Sequence, residues 1–368
     1  MGWKITKNDI PYISLGTKLL SSGGGGETKA VEYLLLSIMK DSDTIRVKTA
    51  VELMNEWIVP VAIAGSTVLF NEDLPAGFET AETVKLYEDI TGKNAEAVIS
   101  IEIGGINGLI PLLVALERNI PVIDGDGMGR AFPKLEMTTF YNSEISVFPL
   151  VASSKDETLI VTNKQEFEEE YISFMYKNSG YCHMACFGMY GQQLQAVMVP
   201  GTLKLAREIG KALLIGNVEE KVESLRNLFF NSVYGDLQVA FMGRIASIHR
   251  WFDEEVLVGS CHFLGQLSFN GMKATIYFQN EFLTMAISNG KMSTTPDLII
   301  LLSYESGIPL SVSDIREGMF VLVLIVPAPS IFHTNEMLRL VGTNSFGIPK
   351  NFSNPTKIGD VPSNENWN

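Results

Sequence analysis

The densest group of residues able to do acid–base chemistry is the run Asp124-Gly125-Asp126-Gly127-Met128-Gly129-Arg130. Two carboxylates separated by one glycine, followed by a flexible stretch and a guanidinium, can activate water, ligate a cation or fix a polar ring. Glu102, Asn107 and Glu136 extend the group. Like charges gathered in one place raise the pKa of at least one carboxyl group or call for a cation. The competing reading is a solvated acidic turn with Arg130 as its counter-charge. A second group is the glycine run Gly23, Gly24, Gly25 and Gly26, whose bare N–H groups at a helix start could meet an anion. It lacks the lysine of a phosphate-binding loop and does not fit the dinucleotide fingerprint, so no nucleotide cofactor is expected; a tight structural turn would need the same glycines. The third group is Cys182, His183 and Cys186 with Cys261 and His262, which invites a zinc reading. If residues 181–187 form a strand, Cys182 and Cys186 point to one face and His183 to the other, and the three cannot share an ion; on a helix they could. Buried, inert cysteine is the plainer account. His249 and His333 stand alone, and neither a nucleophile elbow nor a His-Glu-x-x-His zinc helix occurs.

These side chains need elements to position them. Residues 9–20 and 27–39 read as helices flanking the glycine run, and 44–47 and 59–64 as short strands. The second strand ends in Gly65, Ser66 and Thr67, and a helix follows at 80–91. Residues 97–124 form the clearest unit: a buried strand, a Gly104-Gly105 turn, a helix over 107–118 and a returning strand ending at Asp124. Strands joined in this way run parallel, so Glu102 and Asp124 are expected on one sheet edge, where open α/β sheets bind ligands. A charged passage over 153–170 marks a boundary. Beyond it lie a helix at 202–214 and, from residue 235, a series of β-like runs with hairpin turns such as Asn289-Gly290. The reading is an α/β N-terminal domain with a largely parallel sheet (1–162), a β-rich α+β C-terminal domain (163–352) and a polar tail (353–368).

Composition narrows the function classes. The chain has 368 residues, 46% of them hydrophobic and 19% charged, enough to bury a large core. Its net charge of −14 repels phosphate backbones and anionic lipid, so neither nucleic acid nor a membrane is an expected partner. Three cysteines and the lack of a leader-like apolar stretch point to a reducing, cytoplasmic setting. The most apolar run, 319–329, is about half the roughly 20 residues a membrane-spanning helix needs. Exposed apolar strands in the second domain would favour a homo-oligomer.

At Glu102-Ile103-Gly104-Gly105-Ile106-Asn107 and at the run from Pro121 through Asp124, Asp126 and Arg130 to Met137, the chain resembles the S-methyl-thiohydantoin desulfurase-like family. The likeness extends to Gly23–Gly26, Pro200-Gly201-Thr202, Phe278-Gln279-Asn280-Glu281, Pro296-Asp297-Leu298-Ile299 and Leu340-Val341-Gly342 with Ser345-Phe346-Gly347. The resemblance implies hydrolysis of a carbon–sulfur bond in a cyclic ureide analogue, releasing methanethiol and leaving a hydantoin; the alternative is a non-catalytic accessory subunit that binds such a ring or a partner hydantoinase or oxoprolinase subunit through the same cleft. It implies Asp124 or Asp126 as water activator or ligand of a divalent metal such as zinc, Glu102 and Asn107 as ring-orienting groups, and Arg130 as the partner of a substrate carbonyl or carboxylate. Glu136 joins the catalytic set. The glycine loop, Ser66, Thr67 and Gly105 are expected to touch the substrate.

Overall fold

A computed structural model describes residues 2–348 except 74, 144, 156, 164–166, 179 and 254–255. The tail expected at 353–368 lies outside the described residues.

Alternation of apolar strands with amphipathic helices builds a mixed first sheet. Its order is Trp3–Thr6, Thr44–Lys48, Val122–Ile123, Ala97–Ser100, Trp57–Gly65, Tyr181–Ala185, Leu150–Ser153, Thr158–Val161. The central pairings, 44–48 with 122–123, 122–123 with 97–100, and 97–100 with 57–65, are parallel. The flanking pairings are antiparallel. The expected crossover unit is present: Ala97–Ser100 leads through a 3-10 turn at Gly105–Gly108 into the helix Ile110–Arg118 and back to Val122–Ile123. The sheet draws strands from as far along as Tyr190, which pairs with Trp57.

The second sheet is antiparallel throughout, with eight strands between Gln238 and Val326, and the helices Thr202–Leu213 and Val218–Phe230 precede it. The chain is thus an α/β N-terminal region followed by a strand-rich C-terminal region. Among the described residues no helix is long and apolar enough to cross a membrane.

The helices Ile10–Leu20 and Thr202–Leu213 lie between the two sheets. One continuous apolar cluster joins Val59, Val61 and Val98 of the first sheet, Ile13 and Ala206 of these helices, and Leu298, Ile300, Leu302 and Leu324 of the second. Each large aliphatic side chain buried there contributes about 1.5–3 kcal/mol. The two helices cross at glycine: a methyl group on Gly16 would lie 1.8 Å from the Ala206 carbonyl oxygen, and one on Gly210 would lie 1.9 Å from that of Tyr12. Backbone cannot yield as a flexible side chain can. Gly16→Val is therefore expected to destabilise the protein by about 3 kcal/mol or more, read as a fall in the urea midpoint. An unchanged midpoint would mean that the helices are not in this contact.

Candidate active site

Glu102 follows the strand Ala97–Ser100 and is buried. Its Oε1 accepts a hydrogen bond from Asn107 Nδ2 at 2.6 Å and its Oε2 one from the Phe132 N–H at 3.0 Å. Asn107 is fully committed: it also donates to the Ile63 carbonyl at 3.0 Å and accepts from the Ile63 N–H at 2.6 Å. In this arrangement it fastens Glu102 to the strand Trp57–Gly65 and has no donor left to orient a ring. Burial raises the Glu102 pKa to about 7, against the pull of Asn107 and the Phe132 amide, and nearby Asp126 raises it further.

Asp126 sits in a two-residue strand, Gly125–Asp126, paired with Val199–Pro200. Its Oδ2 accepts three backbone N–H groups: Ile103 at 2.9 Å, Met128 at 2.9 Å and Gly129 at 2.7 Å. Its Oδ1 is buried with no hydrogen-bond partner among the described residues, as is Oγ1 of Thr202. The Thr202 hydroxyl stands close enough to favour the carboxylate without making a well-formed hydrogen bond. Burial lifts the Asp126 pKa to about 6, partly offset by the three amides.

Asp124 faces a different neighbourhood. Its Oδ1 accepts from the Lys204 N–H at 2.9 Å at the start of the helix Thr202–Leu213, and its Oδ2 from Trp3 Nε1 at 3.3 Å. Burial raises its pKa while these donors oppose the rise. A carboxylate satisfying a helix N-terminus is a structural cap. The carboxylate that joins Glu102 is thus Asp126 and not Asp124, because the short strand at 125–126 turns the chain toward Ile103.

Arg130 is 1% exposed, the largest fully buried side chain among the described residues, and its guanidinium carbon lies 4.9 Å from the centre of the Phe132 ring. The guanidinium donates to carbonyls of Ala131 at 3.2 Å, Pro296 at 3.3 Å, Asp297 at 2.8 Å and Phe282 at 3.2 Å. Three of these belong to the second sheet region, so Arg130 ties the two halves together. Burial lowers its pKa to about 10, opposed by Glu281, Asp297, Tyr234 and Glu102.

Glu281 completes the cluster from the second sheet. It is 5% exposed and its Oε2 has no partner among the described residues. Burial raises its pKa to about 8; Arg130 opposes this and Glu102 adds to it. Sequence reading assigned neither Glu281 nor Thr202 to the site, although both lie in runs that carry the family resemblance, which is the signal that could have found them.

The glycine run closes over this cluster. Phe282 N–H donates to Ser22 O at 2.8 Å and Val312 N–H to Gly23 O at 2.9 Å, anchoring the loop to the second sheet. Ile106 N–H donates to Gly25 O at 2.8 Å on the other side. A methyl group on Gly24 would meet Glu281 Cγ and Oε1 at 2.5 Å, and one on Gly105 would lie 1.9 Å from Gly25 O. Gly25 and Gly105 also have φ of 68° and 63°. Glycine is required at both for space and for conformation. The N–H groups of Gly25 and Gly26 make no hydrogen bond among the described residues, and both residues are partly exposed.

The remaining expected contacts are dispersed. Ser66 Oγ accepts from the Leu69 N–H at 3.3 Å; Thr67 opens the helix Thr67–Asp73 and its side chain lies outside the described residues. Glu136 is half-buried in the turn Leu135–Met137. Cys182 and Cys186 are buried in the apolar cluster behind the first sheet, where burial pushes both thiols well up. His183 lies on the other face against Thr80, with Nδ1 2.8 Å from its hydroxyl, and burial lowers its pKa to about 4. His262 is in the second sheet, 3.0 Å from Thr275 Oγ1. These side chains do not converge, and among the described residues no three of His, Cys, Asp and Glu are grouped to hold a metal. An open groove of about 840 Å³, lined by Lys18, Arg244, Tyr304, Asp314 and Phe320 among others, contains none of the four clustered charges.

Residues 8–164 match the S-Me-THD-like N-terminal domain and 162–355 the S-Me-THD-like C-terminal domain. The chain belongs to the S-Me-THD-like family. A crystal structure of a protein from Chromobacterium violaceum is similar over 96% of this chain and 99% of that one, with a TM-score of 0.78 and 19% identity; at that identity the likeness speaks for the fold. No curated protein matches.

The raised carboxyl pKa values have a consequence for stability. Glu281 has an ordinary value of 4.5 and a folded value of about 8. The folded state then keeps a proton that the unfolded state loses. Its contribution is complete below about pH 4.5 and is lost as pH rises toward 8. Glu281→Gln should flatten the fall in urea-derived stability between about pH 5 and 8, by a few kcal/mol across that window. Parallel curves for both proteins would contradict a protonated Glu281.

Proposed function

We propose that this family member is a hydrolase that cleaves the carbon–sulfur bond of an S-methyl-thiohydantoin, giving a hydantoin and methanethiol. One observation carries the reading: buried Glu102 and Glu281, one from each half of the chain, act on one guanidinium, Asp126 acts on Glu102, and all three carboxyl groups are displaced toward neutral pH. General acid–base catalysis favours groups whose pKa lies near the working pH.

The ring carbon bearing the methylthio group is amidine-like and electrophilic. Asp126 Oδ1 and Thr202 Oγ1 are the groups that would hold a water and take its proton, because Oδ2 is already fixed by three amides. Glu102, held at both oxygens by Asn107 and the Phe132 amide, is fixed in position and acts electrostatically on its neighbours. The Gly25 and Gly26 N–H groups would receive a ring carbonyl as negative charge gathers on it. Arg130 spends its donors on backbone carbonyls and serves as counter-charge and tie.

The test is incubation of the purified protein with 5-substituted S-methyl-thiohydantoins, with free thiol and hydantoin measured together, before and after treatment with a chelator. Equimolar thiol and hydantoin, unchanged by chelation, are expected. Stable rings after prolonged incubation would reject the reading.

A further inference from the structure

We infer that Glu281, delivered by the second sheet, is the catalytic acid of this site, donating a proton to a ring nitrogen as water adds under Asp126. This rests on the hydrolytic reading above. Arg130 is the cation that acts on Glu281, yet its guanidinium donates to four backbone carbonyls and forms no ion pair with Glu281 among the described residues. A buried carboxylate beside an arginine would be expected to take a direct, often paired, hydrogen bond. A neutral carboxylic acid has no such need. Glu102 works in the same direction: both its oxygens accept N–H donors, the arrangement of an anion, and its charge disfavours a second one on Glu281. Arg130 and Glu102 are the charged groups that bear on Glu281.

The loop is shaped for this carboxyl. A side chain at position 24 would displace this carboxyl, since its Cβ position is 2.5 Å from Glu281 Oε1. The turn before Glu281 passes through Asn280 with φ of 57°, and Asn280 and Phe282 N–H groups are tied to Leu257 O and Ser22 O, each at 2.8 Å. Glu281 is therefore aimed by backbone on both sides, with Oε2 buried and without a partner among the described residues.

The proton balance is closed. Water forms the C–O bond and gives one proton to Asp126, while Glu281 protonates the ring nitrogen as the C=N electron pair moves onto it. The C–S bond then breaks, methanethiolate takes the proton from Asp126, and the new hydroxyl returns its proton to Glu281 as the carbonyl forms. Both carboxyl groups end as they began.

Two measurements test the assignment. Infrared spectra of the wild-type protein near neutral pH should contain the carbonyl band of protonated carboxylic acid, and the component of that band that titrates at about 8 should be lost in Glu281→Gln. The kcat/KM profile for thiol release should be bell-shaped with limbs at about 6 and about 8. In Glu281→Gln, kcat should fall about 100-fold and the alkaline limb should vanish. Should that variant fail to fold, Gly24→Ala keeps an ionisable Glu281 but displaces its carboxyl, and should move the alkaline limb and lower kcat. A missing acid band in the wild type, or variants that retain the wild-type rate and both limbs, would overturn the inference. A wild-type protein without any turnover would instead overturn the hydrolytic reading, with the acid band still reporting the state of Glu281.

Discussion

Thiol release by Asp126→Asn is expected to fall about a thousandfold, with KM little changed. The expectation follows from the unequal use of the two carboxylate oxygens. Oδ2 is held by Ile103, Met128 and Gly129 N–H groups, while Oδ1 has no partner among the described residues. An asparagine carbonyl can keep the three amides and place its NH₂ where Oδ1 was, so the local fold survives and the base does not. The change removes an interaction realised as water loses its proton, and such losses appear in kcat. Thermal unfolding run beside the assay separates loss of base from loss of structure. Asp124→Asn is the contrast: its oxygens meet Lys204 N–H and Trp3, so its effect should appear as stability, with turnover per folded molecule retained.

Arg130→Met should cost about 3–5 kcal/mol in urea unfolding, the range for stripping one partner from a buried charge group. Methionine approximates the length and fills the apolar part of the site. It loses the donors that bind Ala131, Phe282, Pro296 and Asp297 carbonyls and leaves Glu102 and Glu281 without their cation. The loss should grow as pH rises, because both carboxyl groups then ionise without compensation. Arg130→Lys should recover little, since an ammonium cannot reproduce a planar fork reaching several carbonyls. Equal stability of Arg130→Met and the wild type would show that this guanidinium does not join the two halves.

Much of the first sheet was legible because its signals are local. Buried β-branched runs at 97–100 and 122–123, separated by a helix, dictate parallel strands, as observed. The choice between Asp124 and Asp126 was not legible in the same way. It depends on Val199–Pro200 pairing with Gly125–Asp126 and on the helix that follows taking Asp124 as its cap, both contacts distant in sequence. Glu281 is a similar case: its neighbours Arg130, Glu102 and Gly24 come from the other half of the chain, and no periodicity reports that meeting. The helix Val218–Phe230 is absent from the sequence reading although Asn217 and Glu220 form the reciprocal cap that announces it. Cys182 and His183 show the reverse: strand and helix were both open for this run, and the strand Tyr181–Ala185 places Cys182 in the apolar cluster and His183 against Thr80.

The most direct measurement is a crystal structure with the hydantoin product bound. The ring should lie between the Gly25–Gly26 amides, Asp126 Oδ1 and Glu281 Oε2, with the oxygen acquired from water nearest Asp126. A ring seated in the Lys18–Phe320 groove instead, with the carboxyl cluster untouched, would contradict the assignment of Asp126, Glu102, Arg130 and Glu281 as the reacting centre.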